Sequence, residues 1–245
     1  MIPMLDYLFL GIVQGIFEWI PISSEGVLVL LASALGKVDP LQTALFLHLG
    51  TSLAVLVYFW KQWKDVFTLK DKPLARFILI SAIVSLPVGF LVYKFVETNL
   101  GPGLLALMGI ALLVTGIFQR VRISIKLGND ALAIVSGLFQ GLAAMPGLSR
   151  SGSTIFVLSM GNLDPDEILK YSYMMSLPVV LVGAFYLAVT TGVLLSSWPA
   201  LVTSFLVGLA SLHLLISLSK RINFSIFAFA FGILCILGAL LSFLS

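Results

Sequence analysis

Two short segments of this chain place hydroxyl groups beside an ionisable residue in apolar surroundings. Residues 23–25 read Ser-Ser-Glu, and residues 149–151 read Ser-Arg-Ser. The guanidinium of Arg150 is a planar fork of donors that suits a phosphate or a carboxylate. Hydroxyls and backbone N–H groups where a helix restarts add donors for the same kind of ligand. These residue types therefore predict an anion-binding site.

The same residues have a simpler interpretation, in which Arg150 pairs with Glu18 or Glu25 only to hold the structure together. An ionisable side chain inside a membrane is costly and usually has a function or a partner. Four hydroxyl residues around Arg150 exceed what one salt bridge needs, which favours the anion site. The side chains expected to bind the ligand are Ser23, Ser149, Arg150, Ser151, Ser153, Thr154, Gln14 and Gln140.

The two segments are copies of one pattern. GIVQGIFEWIPISSEG at residues 11–26 aligns without a gap with GLFQGLAAMPGLSRSG at residues 137–152, at a spacing of 126 residues. Each copy begins as an apolar helix, contains a proline and ends in small and hydroxyl residues. In a membrane protein, paired broken segments of this kind point to a binding site near the bilayer centre.

The composition predicts a helical membrane protein. Of the 245 residues, 60% are hydrophobic and 10% are charged, and the mean hydropathy is +1.12; soluble domains have roughly 25% charged residues. A spanning helix needs about 20 mostly apolar residues. Six windows qualify, namely 41–60, 76–93, 103–119, 167–190, 197–218 and 224–243. The single cysteine excludes disulfides, and the basic residues lie in short loops, which gives no argument for nucleic acid.

The loop charges predict an inverted topology. Lys and Arg concentrate after the first, third and fifth windows, so these loops face the cytoplasm. A re-entrant hairpin at residues 5–35 then opens to the outside, and a second at residues 131–160 opens to the cytoplasm. We predict an all-α polytopic membrane protein with an inverted-topology repeat, six transmembrane helices and two re-entrant helical hairpins. It forms one membrane domain, 1–245, with repeats 1–125 and 126–245.

Three stretches resemble one family. PGLSRSGSTI at residues 146–155, QGIFEWIPISSEG at residues 14–26 and FLHLGTSLAVLVYFWK at residues 46–61 are similar to the bacitracin-resistance family of undecaprenyl-diphosphatases. The resemblance implies a multi-pass enzyme of the cell membrane. It would remove the terminal phosphate of a polyprenyl diphosphate and so recycle the lipid carrier for cell-envelope glycan synthesis. By position, the resemblance implies that Ser24 is the nucleophile, that Glu18 is a catalytic or metal-linked acid, and that Arg150 binds phosphate.

The chain departs from the family pattern at three positions, which suggests a divergent member. Gln14 replaces a glutamate, Glu25 replaces a threonine, and Val27 replaces a histidine. Valine cannot exchange a proton, so Glu25 or Glu18 is expected to act as the base. A divalent cation, Mg²⁺ or Ca²⁺, is expected on Glu18 and Glu25, since the diphosphate brings charge that one arginine cannot balance. A polyprenyl-phosphate transporter is the alternative function.

The two histidines carry less information. We interpret His48 as a core histidine, with a position facing the site left open by its HLGT context, and His213 as a core residue. The expected partners are the polyprenyl diphosphate and membrane lipids, without nucleic acid. A homodimer is left open.

The topology can be tested by labelling. A cysteine introduced at Lys70 should react with an impermeant maleimide from the cytoplasm, and one at Ser197 from the outside, because the two loops lie on opposite sides in the predicted path. Labelling of both positions from the same side would contradict the inverted repeat.

Overall fold

The computed structural model describes residues 4–20, 22–36, 40–98, 102–118, 120–121, 127–161, 163–191, 193–219 and 225–244. In these ranges the regular secondary structure is helical, as predicted. The helices are α1 (Met4–Phe17), α2 (Ser24–Ala34), α3 (Pro40–Tyr58), α4 (Trp60–Phe67), α5 (Lys72–Thr98), α6 (Pro102–Phe118), α7 (Asn129–Leu142), α8 (Arg150–Leu158), α9 (Pro165–Met174), α10 (Ser176–Thr191), α11 (Val193–Ser219) and α12 (Ser225–Leu244).

Three helical segments of the described chain are long and apolar enough to cross a membrane. They are Leu41–Tyr58 in α3, Lys72–Thr98 in α5, and Asp166–Thr190 along α9 and α10. At 1.5 Å per residue, their 18 to 27 residues span about 27–40 Å, and a hydrocarbon core is about 30 Å thick. The other three predicted windows are helical as well and correspond to α6, α11 and α12.

The two segments that carry the sequence repeat both break into short helices. α1 ends at Phe17 and α2 begins at Ser24, while α7 ends at Leu142 and α8 begins at Arg150. A serine caps each restarted helix: the hydroxyl of Ser23 accepts the Gly26 N–H, and that of Ser149 accepts the Gly152 N–H, both at 3.1 Å. A serine at this position satisfies a backbone donor that the helix leaves unpaired. The aligned residues of the repeat therefore perform the same local task.

The aligned glycines Gly11 and Gly137 also make equivalent packing contacts. A methyl group at Gly11 would lie 2.5 Å from the Ala200 carbonyl oxygen, so α1 lies directly against α11. A methyl group at Gly137 would lie 2.6 Å from the Ser81 carbonyl oxygen, so α7 lies directly against α5. Small residues allow such close approach between helices in apolar surroundings. The first helix of each broken segment is thus held against a long helix from the other half of the chain.

The turn between α1 and α2 is fixed from two sides. The Tyr173 hydroxyl of α9 donates to the Trp19 carbonyl oxygen at 3.1 Å, and the Tyr173 and Trp19 rings meet edge to face. The indole N–H of Trp19 donates to the Ser211 hydroxyl of α11 at 3.2 Å. Both aromatic side chains are fully buried. These contacts hold the backbone beside Trp19, where Glu18 leaves α1.

The prediction that His213 is a core residue is wrong. His213 is exposed on α11, and its Nδ1 lies 2.8 Å from the Tyr58 hydroxyl at the end of α3. The ring therefore has a hydrogen-bond partner on a neighbouring helix at the protein surface and does not lie in the core.

Candidate active site

Glu18 is the centre of the polar contacts between the two broken segments. Its Oε2 accepts hydrogen bonds from Gln14 Nε2 at 3.0 Å and from the Ser24 hydroxyl at 2.8 Å. Its Oε1 accepts from Nη2 of Arg150, with which it forms an ion pair. The Glu18 side chain is 4% exposed. A buried carboxylate needs this many donors, because an unpaired charge in such a place would cost several kcal/mol.

Arg150 joins the second broken segment to this centre. It is the first residue of α8 and reaches Glu18 across 132 positions of sequence. Its other terminal nitrogen, Nη1, lies 3.5 Å from the Ser172 carbonyl oxygen of α9. The guanidinium therefore has one side on Glu18 and the other toward α9, and it lines the space between the segments.

The tips of the two segments are also linked through the backbone. The Ser23 hydroxyl accepts the Gly147 N–H at 3.0 Å in addition to the N–H of its own helix. Gly147 has φ of +97°, and a methyl group there would lie 2.4 Å from the Met108 carbonyl oxygen, so glycine is required on both counts. Thr115 of α6 completes the tip, since its hydroxyl accepts the Ser149 N–H at 2.9 Å.

A small polar pocket lies between the tips. It has a volume of about 20 Å³, which is room for one water molecule. It gathers seven of the predicted site residues, and His48 joins them from α3. The predicted residues in its lining are Glu18, Ser23, Ser24, Glu25, Ser149, Arg150 and Ser151.

Four predicted ligand-binding residues lie outside this lining. Gln14 donates to Glu18 and to the Thr51 hydroxyl, and Gln140 donates to the Ser85 hydroxyl and the Met175 carbonyl oxygen. The Thr154 hydroxyl donates back to the Arg150 carbonyl oxygen. The hydroxyl of Ser153 is buried without a hydrogen-bond partner in the described part of the chain. Gln14 and Thr154 thus support residues of the pocket, and their contact with a ligand stays a prediction.

Glu25 has a different environment from Glu18. It is the second residue of α2, it is 6% exposed, and its Oε1 has no hydrogen-bond partner among the described residues. It lines the polar pocket and also a larger cavity next to it. No hydrogen bond joins it to Ser24 in the ranges that the structure covers. A buried carboxylate oxygen normally accepts a hydrogen bond or contacts an ion, and Oε1 of Glu25 accepts no hydrogen bond from the described residues.

The sequence favours a core position for His48 and leaves a position facing the site as the alternative. The ring is 13% exposed, and its Nε2 lies 3.3 Å from Glu18 Oε2 and 3.5 Å from the Ser24 hydroxyl. Its Nδ1 lies 2.8 Å from the Ala44 carbonyl oxygen, one turn earlier in α3. The alternative that the HLGT context suggested, a histidine that faces the site, is therefore the one that the structure supports.

The larger cavity has a volume of about 370 Å³ and an almost entirely apolar lining. Its walls come from α3, α5, α7 and α10, with Phe90, Tyr93 and Tyr186 among them. It shares four lining residues with the polar pocket, which are Glu25, His48, Ala143 and Arg150. An apolar cavity therefore adjoins the polar centre directly.

No preformed metal cage is present in the described residues: they hold no group of three or more His, Cys, Asp or Glu side chains placed to bind one ion. Glu18 already accepts from Arg150, Gln14 and Ser24. One carboxylate oxygen of Glu25, by contrast, has no hydrogen-bond partner in the described part of the chain. Of the two predicted ligands, Glu25 is thus the one with a buried oxygen of this kind, and a cation there stays a prediction.

These features define the class of the protein: a helical chain with membrane-capable segments, in which ionisable and hydroxyl side chains meet at two helix breaks beside an apolar cavity. The chain belongs to the family described as bacitracin resistance protein BacA, whose model matches residues 7–239.

Relatives of similar length share a third of their residues with this chain. A protein of Methanococcoides burtonii is 34% identical over 97% of this chain and 98% of its own, and one of Thermosipho africanus is 35% identical over 98% and 99%. A protein of Rhodopirellula baltica is 38% identical over 74% of this chain and 72% of its own. All three are named undecaprenyl-diphosphatase.

The buried ion pair can be tested by a double-mutant cycle. Arg150→Met leaves Glu18 without its cation and should cost about 3–5 kcal/mol of folding free energy, which lowers the thermal midpoint in detergent by roughly 10 °C. Adding Glu18→Gln removes the stranded charge and should restore much of this loss. Arg76→Met is the control, since the Arg76–Asp130 pair is largely exposed and should matter little. Additive losses from the two site variants would contradict the pairing.

Proposed function

We propose that this protein hydrolyses an undecaprenyl-type polyprenyl diphosphate to the monophosphate and inorganic phosphate, as a multi-pass enzyme of the cell membrane. One observation supports this most directly: a hydroxyl, a guanidinium and a carboxylate meet at the head of an apolar cavity. A lipid diphosphate has the matching two parts, an anionic head and an apolar tail. The names of the relatives agree with this substrate.

The two cavities divide the substrate between them. The terminal phosphate enters the polar pocket between the tips, and the first part of the prenyl chain lies in the 370 Å³ cavity between α5 and α10. Arg150 lines both spaces, so the phosphoanhydride lies beside its guanidinium. A pocket lined mainly by apolar groups with a few polar groups at one end suits such an amphipathic ligand.

Binding requires the centre to open, because 20 Å³ holds a water molecule and not a phosphate. The phosphate oxygens bind the Arg150 guanidinium alongside Glu18, since its planar fork of donors matches phosphate geometry. Backbone N–H groups at the starts of α2 and α8 lie on the same pocket and supply further donors. These donors stabilise the charge on the equatorial oxygens as the phosphorus is attacked.

Ser24 is the oxygen nucleophile in this proposal. Ser24 is the first residue of α2, and its hydroxyl lies in the pocket, 2.8 Å from Glu18 Oε2. Its Oγ attacks the terminal phosphorus, and the bond to the bridging oxygen breaks. The polyprenyl monophosphate leaves with the electron pair.

A divalent cation, Mg²⁺ or Ca²⁺, fits beside Glu25. The supporting observation is that Glu25 is 6% exposed and that its Oε1 has no hydrogen-bond partner among the described residues. Mg²⁺ is commonly held by one or two carboxylates together with substrate phosphates. When bound, such an ion neutralises part of the diphosphate charge.

The finer architecture is part of this proposal. Six spanning helices and two re-entrant hairpins, arranged as inverted repeats, agree with the matched capping serines and matched glycine contacts of the two broken segments. Such an arrangement brings both helix breaks to the bilayer centre.

Phosphate release from undecaprenyl diphosphate in detergent is the experiment that tests the function. The wild-type protein should release inorganic phosphate. Arg150→Lys should retain only a small part of this turnover, since an ammonium does not reproduce the planar bidentate fork. Transport of a polyprenyl phosphate across vesicles by a protein that releases no phosphate would contradict hydrolysis and favour a transporter.

The cation site can be tested at Glu25. Glu25→Gln should lower turnover, and raising the Mg²⁺ or Ca²⁺ concentration should partly restore it, because a weakened site fills at higher concentration. Glu167→Gln is the control, since Glu167 lies 43% exposed at the start of α9. Turnover of the Glu25 variant that equals the wild type at every cation concentration would remove Glu25 from the site.

The tail cavity can be tested at Gly183, which lines it and has no heavy atom within 4 Å of an added methyl group. Gly183→Phe should fold normally and fill the cavity, which should raise KM for the polyprenyl diphosphate. Gly103→Phe is matched, because Gly103 also has open space and lies outside the cavity lining. Equal KM values for the two variants would contradict a tail in this cavity.

A further inference from the structure

The identity of the proton acceptor for Ser24 is open, and the structure assigns it to a residue of α3, outside the two broken segments. We propose that His48 is the general base that removes the proton from the Ser24 hydroxyl. This assignment rests on the proposed function. In this role His48 takes the place of the family's histidine, whose position is occupied by Val27 in this chain. It also takes the place of Glu18 and Glu25, which the sequence suggested as bases.

The orientation of the His48 ring sets which nitrogen can accept. A carbonyl oxygen only accepts hydrogen bonds, so the contact of 2.8 Å with Ala44 requires a proton on Nδ1. When the ring is neutral, its lone pair is then on Nε2, which lies 3.5 Å from the Ser24 hydroxyl and 3.3 Å from Glu18 Oε2. Backbone hydrogen bonds of this kind fix the tautomer of catalytic and metal-binding histidines.

The distance between His48 Nε2 and the Ser24 hydroxyl is what we expect of an active site without substrate. Nε2 and the Ser24 hydroxyl are 3.5 Å apart, which is longer than a strong hydrogen bond. Catalytic hydrogen bonds are often long in the free enzyme and shorten when substrate binds. In the resting site the Ser24 proton points to Glu18 at 2.8 Å. A small rotation of this hydroxyl turns it to Nε2.

Glu18 is better placed to support His48 than to act as the base. Its oxygens already accept from Arg150, Gln14 and Ser24. Its Oε2 is 3.3 Å from Nε2 of His48, so a proton that arrives on Nε2 lies beside a negative charge. This contact stabilises the imidazolium that forms.

The other carboxylate and the family position are less suitable. Glu25 has no hydrogen bond to Ser24 within the described ranges. Val27, one turn after Ser24 in α2, packs against an apolar cluster that includes Leu10 and Leu28. His48, by contrast, lines both the polar pocket and the tail cavity, so its ring lies where the phosphoanhydride is cleaved.

The reaction has two halves, joined by a phosphoserine at Ser24. As Ser24 Oγ bonds to the terminal phosphorus, its proton moves to Nε2 of His48, and the bond to the bridging oxygen breaks. The proton then passes to the leaving phosphate oxygen. In the second half, a water oxygen attacks the phosphoserine phosphorus and its proton moves to Nε2. The electron pair of the P–Oγ bond returns to Ser24, which takes the proton back from His48.

The chain offers a matched pair of variants, since it contains two histidines. His48→Gln keeps a polar side chain without a basic nitrogen and should lower kcat about 10²–10⁴-fold, the usual contribution of general acid–base catalysis, with little change in KM. His213→Gln removes the exposed histidine and should retain wild-type turnover. A His48→Gln protein with wild-type kcat, or with an effect only on KM, would overturn the proposal.

Chemical rescue separates a base from a positioning residue. His48→Ala leaves space beside a cavity of about 370 Å³, through which imidazole can reach Ser24. Added imidazole should raise the phosphate release of His48→Ala in a saturable way and should leave His48→Gln unchanged, since the glutamine fills the space. Turnover of His48→Ala that equals the wild type, or that imidazole does not raise, would overturn the role of a base.

The tautomer can be measured without any turnover. In His213→Gln protein labelled with ¹⁵N-histidine, His48 is the remaining histidine, and its nitrogen shifts should report a proton on Nδ1 and none on Nε2. A ring protonated on both nitrogens in the resting enzyme, or on Nε2 alone, would overturn the proposal. Absence of phosphate release from the wild type would instead overturn the proposed function, whereas an active wild type with an equally active His48→Gln removes only His48.

Discussion

The buried ion pair between Glu18 and Arg150 is the constraint on which the rest of the centre depends. It joins residues that are 132 positions apart, and each residue stands where a broken helix ends or restarts. Because neither charge can remain unpaired at this burial, the two breaks must meet. The capping serines, the glycine at 147 and the threonine at 115 then satisfy the backbone groups that the meeting of the breaks leaves exposed.

The same constraint explains why several polar side chains gather around Glu18. Every polar atom in such surroundings needs a partner, so Gln14, Ser24 and His48 collect around Glu18. The large cavity begins where this network stops. Its lining includes Glu25, His48 and Arg150 at the polar centre and is otherwise mainly apolar, with residues such as Phe90, which matches a ligand with one charged end.

Local signals in the sequence predicted much of this arrangement. The helical class follows from composition, and the break in each repeated segment follows from its proline and its run of small and hydroxyl residues. The meeting of Ser24, Glu18 and Arg150 followed from the repeat. The inverted arrangement itself and the contact of these residues with a ligand remain predictions.

The remaining features depend on tertiary contacts that no local pattern encodes. A lone histidine in an apolar helix has the same local signature on any face, so His48 and His213 could not be separated by sequence. The first is turned toward Glu18 and the second toward Tyr58, and this follows from how α3 lies against its neighbours. Thr154 was predicted to bind the ligand, and this contact stays a prediction. In the structure its hydroxyl donates to the Arg150 carbonyl oxygen one turn earlier, a common choice for threonine in a helix.

The alignment of the two repeated segments has a consequence for how such a centre can arise. At the spacing of 126 residues, Glu18 aligns with Ala144 and Ser24 aligns with Arg150, so each half carries only one of the two opposite charges. Two copies of the first segment as it stands would supply no guanidinium group at the junction, and two copies of the second would supply no carboxylate, so like charges would meet at that burial and repel. The Glu18–Arg150 pair therefore depends on the difference between the two segments. Because both segments lie in one chain, each molecule that folds brings an acidic segment together with a basic one.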